Sequence, residues 1–285
     1  MQTILRGQSQ EVIIGPDRPF VIIGERINPT GRKKLAETLQ EGDYAYVLEL
    51  ARVQIEAGAD ILDVNVGVPD LDEARVLAEV VKLLASEFDL PLCLDSANPQ
   101  ALAAALEVAS GKPLVNSVSG EEASLKSVLP VVKARGAAVI GLTMGDSGIP
   151  QDSESRLAIA EDILERAAKA GIPTEDVIID PLVLSVGADS QAATVTLQTI
   201  EALQKTFGVN INLGASNVSF GLPDRHTLNQ SFLALAIGAG ATCAITDPAK
   251  LTPTILAIDL LLGRDNYASR YLTNYRKRAA EQGKG

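Results

Sequence analysis

The chain is poor in the residues from which metal centres and aromatic cores are built. It has one histidine (His226), two cysteines (Cys93 and Cys243) and no tryptophan among 285 residues. A single imidazole excludes a metal site made of several histidines, and no intrinsic metal is expected. Each thiol lies in an apolar strand-like run with no second Cys or His near it in sequence, which reads as buried, reduced cysteine in a cytoplasmic protein. Aromatic residues are only 4%, so the core has to be assembled from Leu, Ile, Val and Ala, within a total of 46% apolar residues. Positive charge is also in deficit. The formal net charge is −11 and no basic run offsets it, so phosphate backbones and anionic membrane surfaces are repelled and nucleic acid is excluded as a partner. The longest uncharged run, 231–246, is too short to span a membrane and is interrupted by Gly238 and Gly240. Residues 1–17 lack the basic start and apolar block of a signal peptide. The expectation is a soluble protein.

What the chain has is alternation. A short hairpin (3–5 and 11–14, around Gly7) precedes short apolar runs at 20–26, 61–66, 92–96, 114–119, 137–143, 177–181, 210–215 and 243–247. Longer amphipathic segments separate them, with helical spacing clear in Leu157, Ala160, Ile163, Leu164 and Ala167. Gly58, Gly111, Gly136, Gly171 and Gly208 stand where helices should end. Eight strand–helix units without a stray element imply an α/β chain folded as a single (β/α)8 TIM barrel, about 20–263, with an N-terminal hairpin and a C-terminal helical tail at 264–285. A doubly wound sheet is the alternative, but its Gly-x-Gly-x-x-Gly turn after the first strand is missing. The tail carries Tyr267, Tyr271, Leu272 and Tyr275 at helical spacing, a stripe suited to packing on the barrel or to a homodimer contact.

The strand ends carry the chemistry. Their carboxyl ends present Glu25, Asn28, Asp63, Asn65, Asp95, Ser96, Asn116, Ser117, Thr143, Asp180, Asn217 and Asp247 to one rim. Helix caps and turns also favour Asp, Asn and Ser, which accounts for some of them. Asp95, Asn116 and Asp180 are different, because each sits in an apolar strand and shares a face with Cys93, Leu114 and Ile178 respectively. Buried carboxylates need donors. No glycine-rich phosphate loop accompanies them, and a heterocycle edge with several N–H donors fits better. A pterin ring offers N3–H and a 2-amino group, spaced to meet one carboxylate in two parallel hydrogen bonds. The stretch 213–225 ends a strand in Ser216, Asn217 and Ser219 before Gly221 and Pro223, and Asp224 is placed to cap the next helix. Asn217 supplies a neutral hydrogen-bonding group at that end.

Six motifs occur in order: Gly24-Glu-Arg-Ile-Asn-Pro-Thr-Gly31, Leu62-Asp-Val-Asn-Val-Gly67, Leu94-Asp-Ser96, Val115-Asn-Ser117, Ile179-Asp-Pro181 and Ser216-Asn-Val-Ser219. Together they resemble the pterin-binding methyltransferases, the family of methyltetrahydrofolate–corrinoid protein methyltransferases and of the folate module of cobalamin-dependent methionine synthase. The resemblance implies a (β/α)8 barrel, usually a homodimer, holding tetrahydrofolate or 5-methyltetrahydrofolate at the rim. It implies that Asp95, Asn116 and Asp180 hold the pterin and that Asn217 faces N5 as the catalytic side chain, with Glu25, Asp63, Asn65, Ser216 and Arg225 around the rim. The cobalamin cobalt that exchanges the methyl group would be supplied by a partner corrinoid protein. Dihydropteroate synthase resembles the same barrel. Its Asn-x-Thr-Pro-Asp-Ser-Phe signature is replaced here by Arg26-Ile-Asn-Pro-Thr-Gly-Arg32, and its Ser-x-Arg end by Thr246-Asp-Pro248. A pterin-binding protein without catalysis is the third reading. Asp224-Arg-His226-Thr-Leu-Asn229 approaches the cobalt-ligating Asp-x-His-x-x-Gly motif but lacks its glycine, so His226 reads as a surface residue at a helix start.

Overall fold

Strand alternation decides which side chains enter the barrel. A computed structural model describes residues 1–282, with side chains described through residue 280. Strands β1 (Thr3–Arg6) and β2 (Glu11–Ile14) form the expected antiparallel hairpin, with Thr3 opposite Ile14. Seven parallel strands follow: β3 (Val21–Ile27), β4 (Ile61–Val64), β5 (Leu92–Asp95), β6 (Leu114–Ser119), β7 (Ala138–Leu142), β8 (Val177–Asp180) and β9 (Cys243–Thr246). They curl into one sheet in the order β8-β7-β6-β5-β4-β3-β9. After β3 come α1 (Lys33–Glu41) and α2 (Ala45–Glu56), and α3 (Glu73–Glu87), α4 (Pro99–Val108), α5 (Glu122–Arg135), α6 (Ser153–Lys169) and α7 (Ala192–Phe207) follow β4 to β8 in turn. Helix α8 (Arg225–Ala239) precedes β9, and α9 (Pro248–Leu261) and α10 (Ser269–Gln282) end the described chain.

Successive strand residues divide between two cores. Ile22, Leu62, Leu94, Val115 and Ile179 face the helices. Val21, Ile23, Ile61, Cys93, Leu114, Ile178 and Cys243 fill the interior together with Leu5, Val12 and Ile14 of the hairpin. The hairpin covers the amino ends of the strands, where Arg6 and Lys112 exchange backbone hydrogen bonds of 3.0 Å. Both cysteines are fully buried.

The eighth strand expected at 210–215 is absent as a regular element. Residues 210–214 run between the sheet edges and meet them in isolated bridges, Ile179 to Ile211 and Gly214 to Ile245, rather than in a regular ladder. Asn212 N–H donates to the Ile179 carbonyl at 2.9 Å, and Ile245 N–H donates to the Leu213 carbonyl at 2.8 Å. The irregularity follows from side-chain bonding. Asn210 Nδ2 donates to Thr3 Oγ1 and the Ile14 carbonyl, and Asn212 Nδ2 donates to Asp180, which bends the segment away from ladder geometry. The sheet is therefore TIM-barrel-like and not fully closed.

Two local expectations also change. Asp224 occupies the position before α8, but its φ of 46° is left-handed and its side chain makes no capping bond. Asp72, Asn98, Asp152 and Asp247 do cap α3, α4, α6 and α9. The tail does not pack through its aromatic stripe, since Tyr267, Leu272 and Tyr275 are exposed. Charge docks it instead. The buried Asp259 carboxylate of α9 accepts from Phe20 N–H at 3.0 and 3.1 Å, pairs with Arg270 of α10 at 3.0 Å and faces Arg264 at 3.8 Å. Asp259→Ala leaves two guanidinium groups and one buried N–H without their acceptor, so a loss of about 3–5 kcal/mol is expected. Tyr275→Ala at the exposed position should change stability by less than about 0.5 kcal/mol. Urea unfolding of both variants checks this, and equal midpoints would contradict the assignment.

Candidate active site

The barrel interior becomes polar two residues further along each strand. After Ile23, Ile61, Cys93, Leu114 and Ile178, the period of two places Glu25, Asp63, Asp95, Asn116 and Asp180 on the inner face at its carboxyl end. Parallel pairing sets Asp95 beside Asn116. Asn116 Nδ2 donates to Asp63 Oδ1 at 3.2 Å, and Asn65 Nδ2 donates to Asp95 Oδ2 at 3.0 Å. Burial first, and then the neighbouring Asp95 charge, hold the Asp63 carboxyl well above the usual range. Burial also pushes Asp95 up to about 6. Burial and mutual repulsion therefore disfavour two charges at once in this pair.

Glu25, Asn28, Asp63, Asp95, Asn116, Ser216 and Asn217 line a cavity of about 340 Å³. The wall at Glu25 depends on Gly24: a Cβ there would stand 2.5 Å from Gln54 Oε1, which accepts from Arg26 N–H at 2.7 Å. Ser216 Oγ donates to the Glu25 carboxylate at 3.1–3.3 Å, and burial raises the pKa of that carboxyl. Asn217 lies in the 3-10 turn Ala215–Ser219. Its side chain is exposed to the cavity and makes no hydrogen bond among the described residues, so it is not spent on the turn. Arg225 secures that turn, donating to the Ser216 carbonyl at 2.7 Å and to Ser219 Oγ at 3.0 Å.

Not every residue expected at the rim reaches the cavity wall. Asp180 is 5% exposed and lies behind it, accepting from Leu182 N–H at 2.8 Å and from Asn212 Nδ2 at 2.7 Å. Burial pushes it up to about 6. Asn65 acts through Asp95, and Arg225 faces an adjoining cavity of about 810 Å³ that shares Glu25, Arg32 and Ser216 with the smaller one. Ser96 and Thr143 are structural, Ser96 Oγ accepting from Asn98 N–H and Thr143 donating to the Asp180 carbonyl, whereas Asp247 both caps α9 and lines the adjoining cavity. His226 is exposed at the start of α8, as its sequence context implied.

Sequence reasoning missed two residues. Asn212 orients Asp180, and the signal that singled out Asn116, a buried amide in an apolar run, was present there too. Arg156 of α6 is 1% exposed and donates to the carbonyls of Pro150, Pro181 and Leu182 at 2.8–3.0 Å. It holds the turn at Leu182, whose φ of 63° is unfavourable for a residue with a branched side chain. Its partners are carbonyls, which carry no sequence identity, so nothing in the chain announced it.

The arrangement offers a dry row of acceptors with one open side, suited to a flat ligand presenting N–H groups. The family described as pterin binding enzyme matches residues 24–247. The methylcorrinoid:tetrahydrofolate methyltransferase of Eubacterium limosum is 30% identical over 90% of this chain and 97% of its own length. Methionine synthase of Mycobacterium tuberculosis is 30% identical over 83% of this chain, which spans only 21% of that protein. Among solved structures, Yersinia pestis dihydropteroate synthase with a pterine–sulfa conjugate superposes with a TM-score of 0.70 at 19% identity, covering 92% of this chain and 99% of that one. That likeness is one of fold.

Removing the Asn212 donor should make Asp180 harder to ionise. A hydrogen bond to a charged group contributes about 1.5–3 kcal/mol, so Asn212→Ala should raise the Asp180 pKa by about one to two pH units above its present value. Carboxyl-carbon NMR titration reads this directly, and an unmoved midpoint would show that Asn212 does not govern Asp180.

Proposed function

Because the chain belongs to the pterin binding enzymes, we propose that it transfers a methyl group between N5 of tetrahydrofolate and the cobalt of a corrinoid carried by a partner protein. The observation that carries the reading is the free amide of Asn217, set at the open end of a carboxylate-lined pocket. Ionised Asp95 accepts the paired N–H donors of the pterin edge. Asn116 adds an acceptor, since its Nδ2 is already directed to Asp63. Asp180 completes the edge from behind, and each of its oxygens keeps a free lone pair beyond the bonds to Leu182 and Asn212. The full-length match to a protein named for methyl exchange with tetrahydrofolate supports the same ligand.

A carboxyamide suits the reaction. An amine is a poor leaving group, so N5 has to gain a proton or a strong hydrogen bond as its bond to methyl breaks, and it loses that partner in the reverse direction. Asn217 can turn its N–H₂ or its carbonyl toward N5 and so serves both protonation states, whereas a carboxylate would favour one. A donor that strengthens only as charge develops lowers the barrier more than it tightens binding. The corrinoid supplies a cobalt centre that accepts or gives up the methyl group. The residues of this chain hold the pterin, exclude water from its edge and leave N5 facing outward.

The dihydropteroate synthase fold keeps a second pterin chemistry in view. Incubation with a pterin diphosphate and p-aminobenzoate separates the two readings: methyl exchange with free cob(I)alamin and no dihydropteroate is expected, and the converse would overturn the proposal.

Binding should depend on pH in a defined direction. Asp95 and Asp180 ionise near 6 in the free protein, and an edge of N–H donors binds their ionised forms. Affinity for tetrahydrofolate is therefore expected to be flat from about pH 8 to 7. It should fall below about pH 6 by roughly tenfold per pH unit for each proton displaced. Calorimetry between about pH 5 and 8 in buffers of different ionisation heat tests this, and a flat profile would remove the carboxylates from the contact.

Asn217→Ala is expected to slow single-turnover methyl transfer at saturating folate by up to about 2.7–4 kcal/mol, less where solvent bridges to N5, with a smaller change in folate affinity. A wild-type rate in a folded variant would take Asn217 out of the mechanism.

A further inference from the structure

The larger cavity, about 810 Å³, concentrates positive charge in a chain whose net charge is −11. Arg26, Arg32, Arg225, Lys250 and Arg278 line it, opposed by the carboxylates of Glu25 and Asp247. These cations come from β3 and the segment after it, from α8, from α9 and from α10, so no single run of sequence foretells the cluster. Their charge is incompletely offset from within. Asp247 is shared between Arg26 at 3.6 Å and Lys250 at 3.7 Å, both long contacts. Arg32 and Arg225 have no carboxylate within ion-pair distance among the described residues, and donate to the carbonyls of Arg26 and Ser216. Such neutral acceptors satisfy hydrogen bonds without cancelling charge. Burial first, and then the neighbouring Arg26 charge, lower the pKa of the Arg32 guanidinium.

Position decides what such a cavity receives. Glu25, Arg32 and Ser216 form the wall common to both cavities, so a ligand whose ring lies in the smaller one continues into the larger. Tetrahydrofolate bears an aminobenzoyl group ending in glutamate, and each further γ-linked glutamate adds one carboxylate. We infer that the cationic cavity binds this γ-glutamyl tail and that the protein selects oligo-γ-glutamyl folates over the monoglutamyl form. The inference rests on the reading of the ligand as tetrahydrofolate. A flexible anionic chain suits a recess. The acidic face of a docking protein would need a convex or flat basic surface, and would have to meet the open side above N5.

Calorimetry with monoglutamyl and tri-γ-glutamyl tetrahydrofolate, at about 20 mM and about 500 mM salt, tests it. The triglutamate is expected to bind about tenfold more tightly at low salt, the effect of two partly screened ion pairs, and the gap should close at high salt. The double variant Lys250→Glu/Arg278→Glu should abolish the gap. Should that variant fail to fold, the wild-type gap and its salt dependence decide alone. Equal affinities in the wild type at low salt overturn the inference, as does a gap that survives the charge reversal. A surviving gap with slowed transfer to a corrinoid protein would instead mark the cations as a docking surface, and the tail site would again be refuted. Failure of the monoglutamate to bind at all would defeat the reading of the ligand, whereas binding without gain from added glutamates would defeat the tail site alone.

Discussion

Carboxyl groups enclosed by a hydrocarbon-filled barrel need hydrogen-bond donors, and the upper half of this structure is arranged around that need. Asp63, Asp95 and Asp180 stand directly above a layer of Ile61, Cys93 and Ile178. Water is largely kept from them, and the backbone offers few N–H groups there because the parallel ladders use most of them. The chain answers with amides. Asn65, Asn116 and Asn212 each direct Nδ2 to one of the three carboxyls, and burial raises the pKa of Asp63. Asp63, Asp95 and Asn116 line the cavity, with Asp180 behind its wall. An acceptor-rich pocket of this kind favours a ligand that brings several donors in one plane over a phosphate.

Much of this was legible in the chain. Period-two alternation placed the polar groups at Asp95, Asn116 and Asp180 on the same face as Cys93, Leu114 and Ile178, and the interior core contains those three apolar neighbours. The hairpin, the seven parallel strands and the turn at 215–219 lie where alternation and turn residues put them. Legibility failed where tertiary partners override local pattern. The run at 210–215 has strand composition, yet inward hydrogen bonds of Asn210 and Asn212 remove it from regular pairing. The tyrosines of the tail have helical spacing, but the barrel wall beneath α10 presents the Asp259 carboxylate, and arginine meets it. Arg156 binds only carbonyls, and the converging cations of the larger cavity are scattered over more than two hundred residues.

Two electrostatic regimes therefore meet at Glu25 and Ser216. On one side buried carboxyls await donors, and on the other exposed cations await anions. A ligand with a donor-bearing ring and an acidic tail has only one orientation that satisfies both. Orientation would matter under the proposed reaction, in which Asn217 serves a single ring nitrogen and a ring turned over in the pocket would present the wrong edge to it.

The irregular segment at 210–214 has a mechanical consequence. It is joined to β8 and β9 by isolated bridges and a few backbone hydrogen bonds and leads without interruption into the turn that carries Asn217. Elsewhere in the wall, moving one strand means shearing a continuous ladder. At this seam regular pairing is interrupted while the seven-stranded sheet keeps its register, so the turn that carries Asn217 is joined to the least regular part of the wall. Amides on either side of that seam would be expected to exchange with solvent through small local openings, while those of β4 to β7 would require the sheet itself to open.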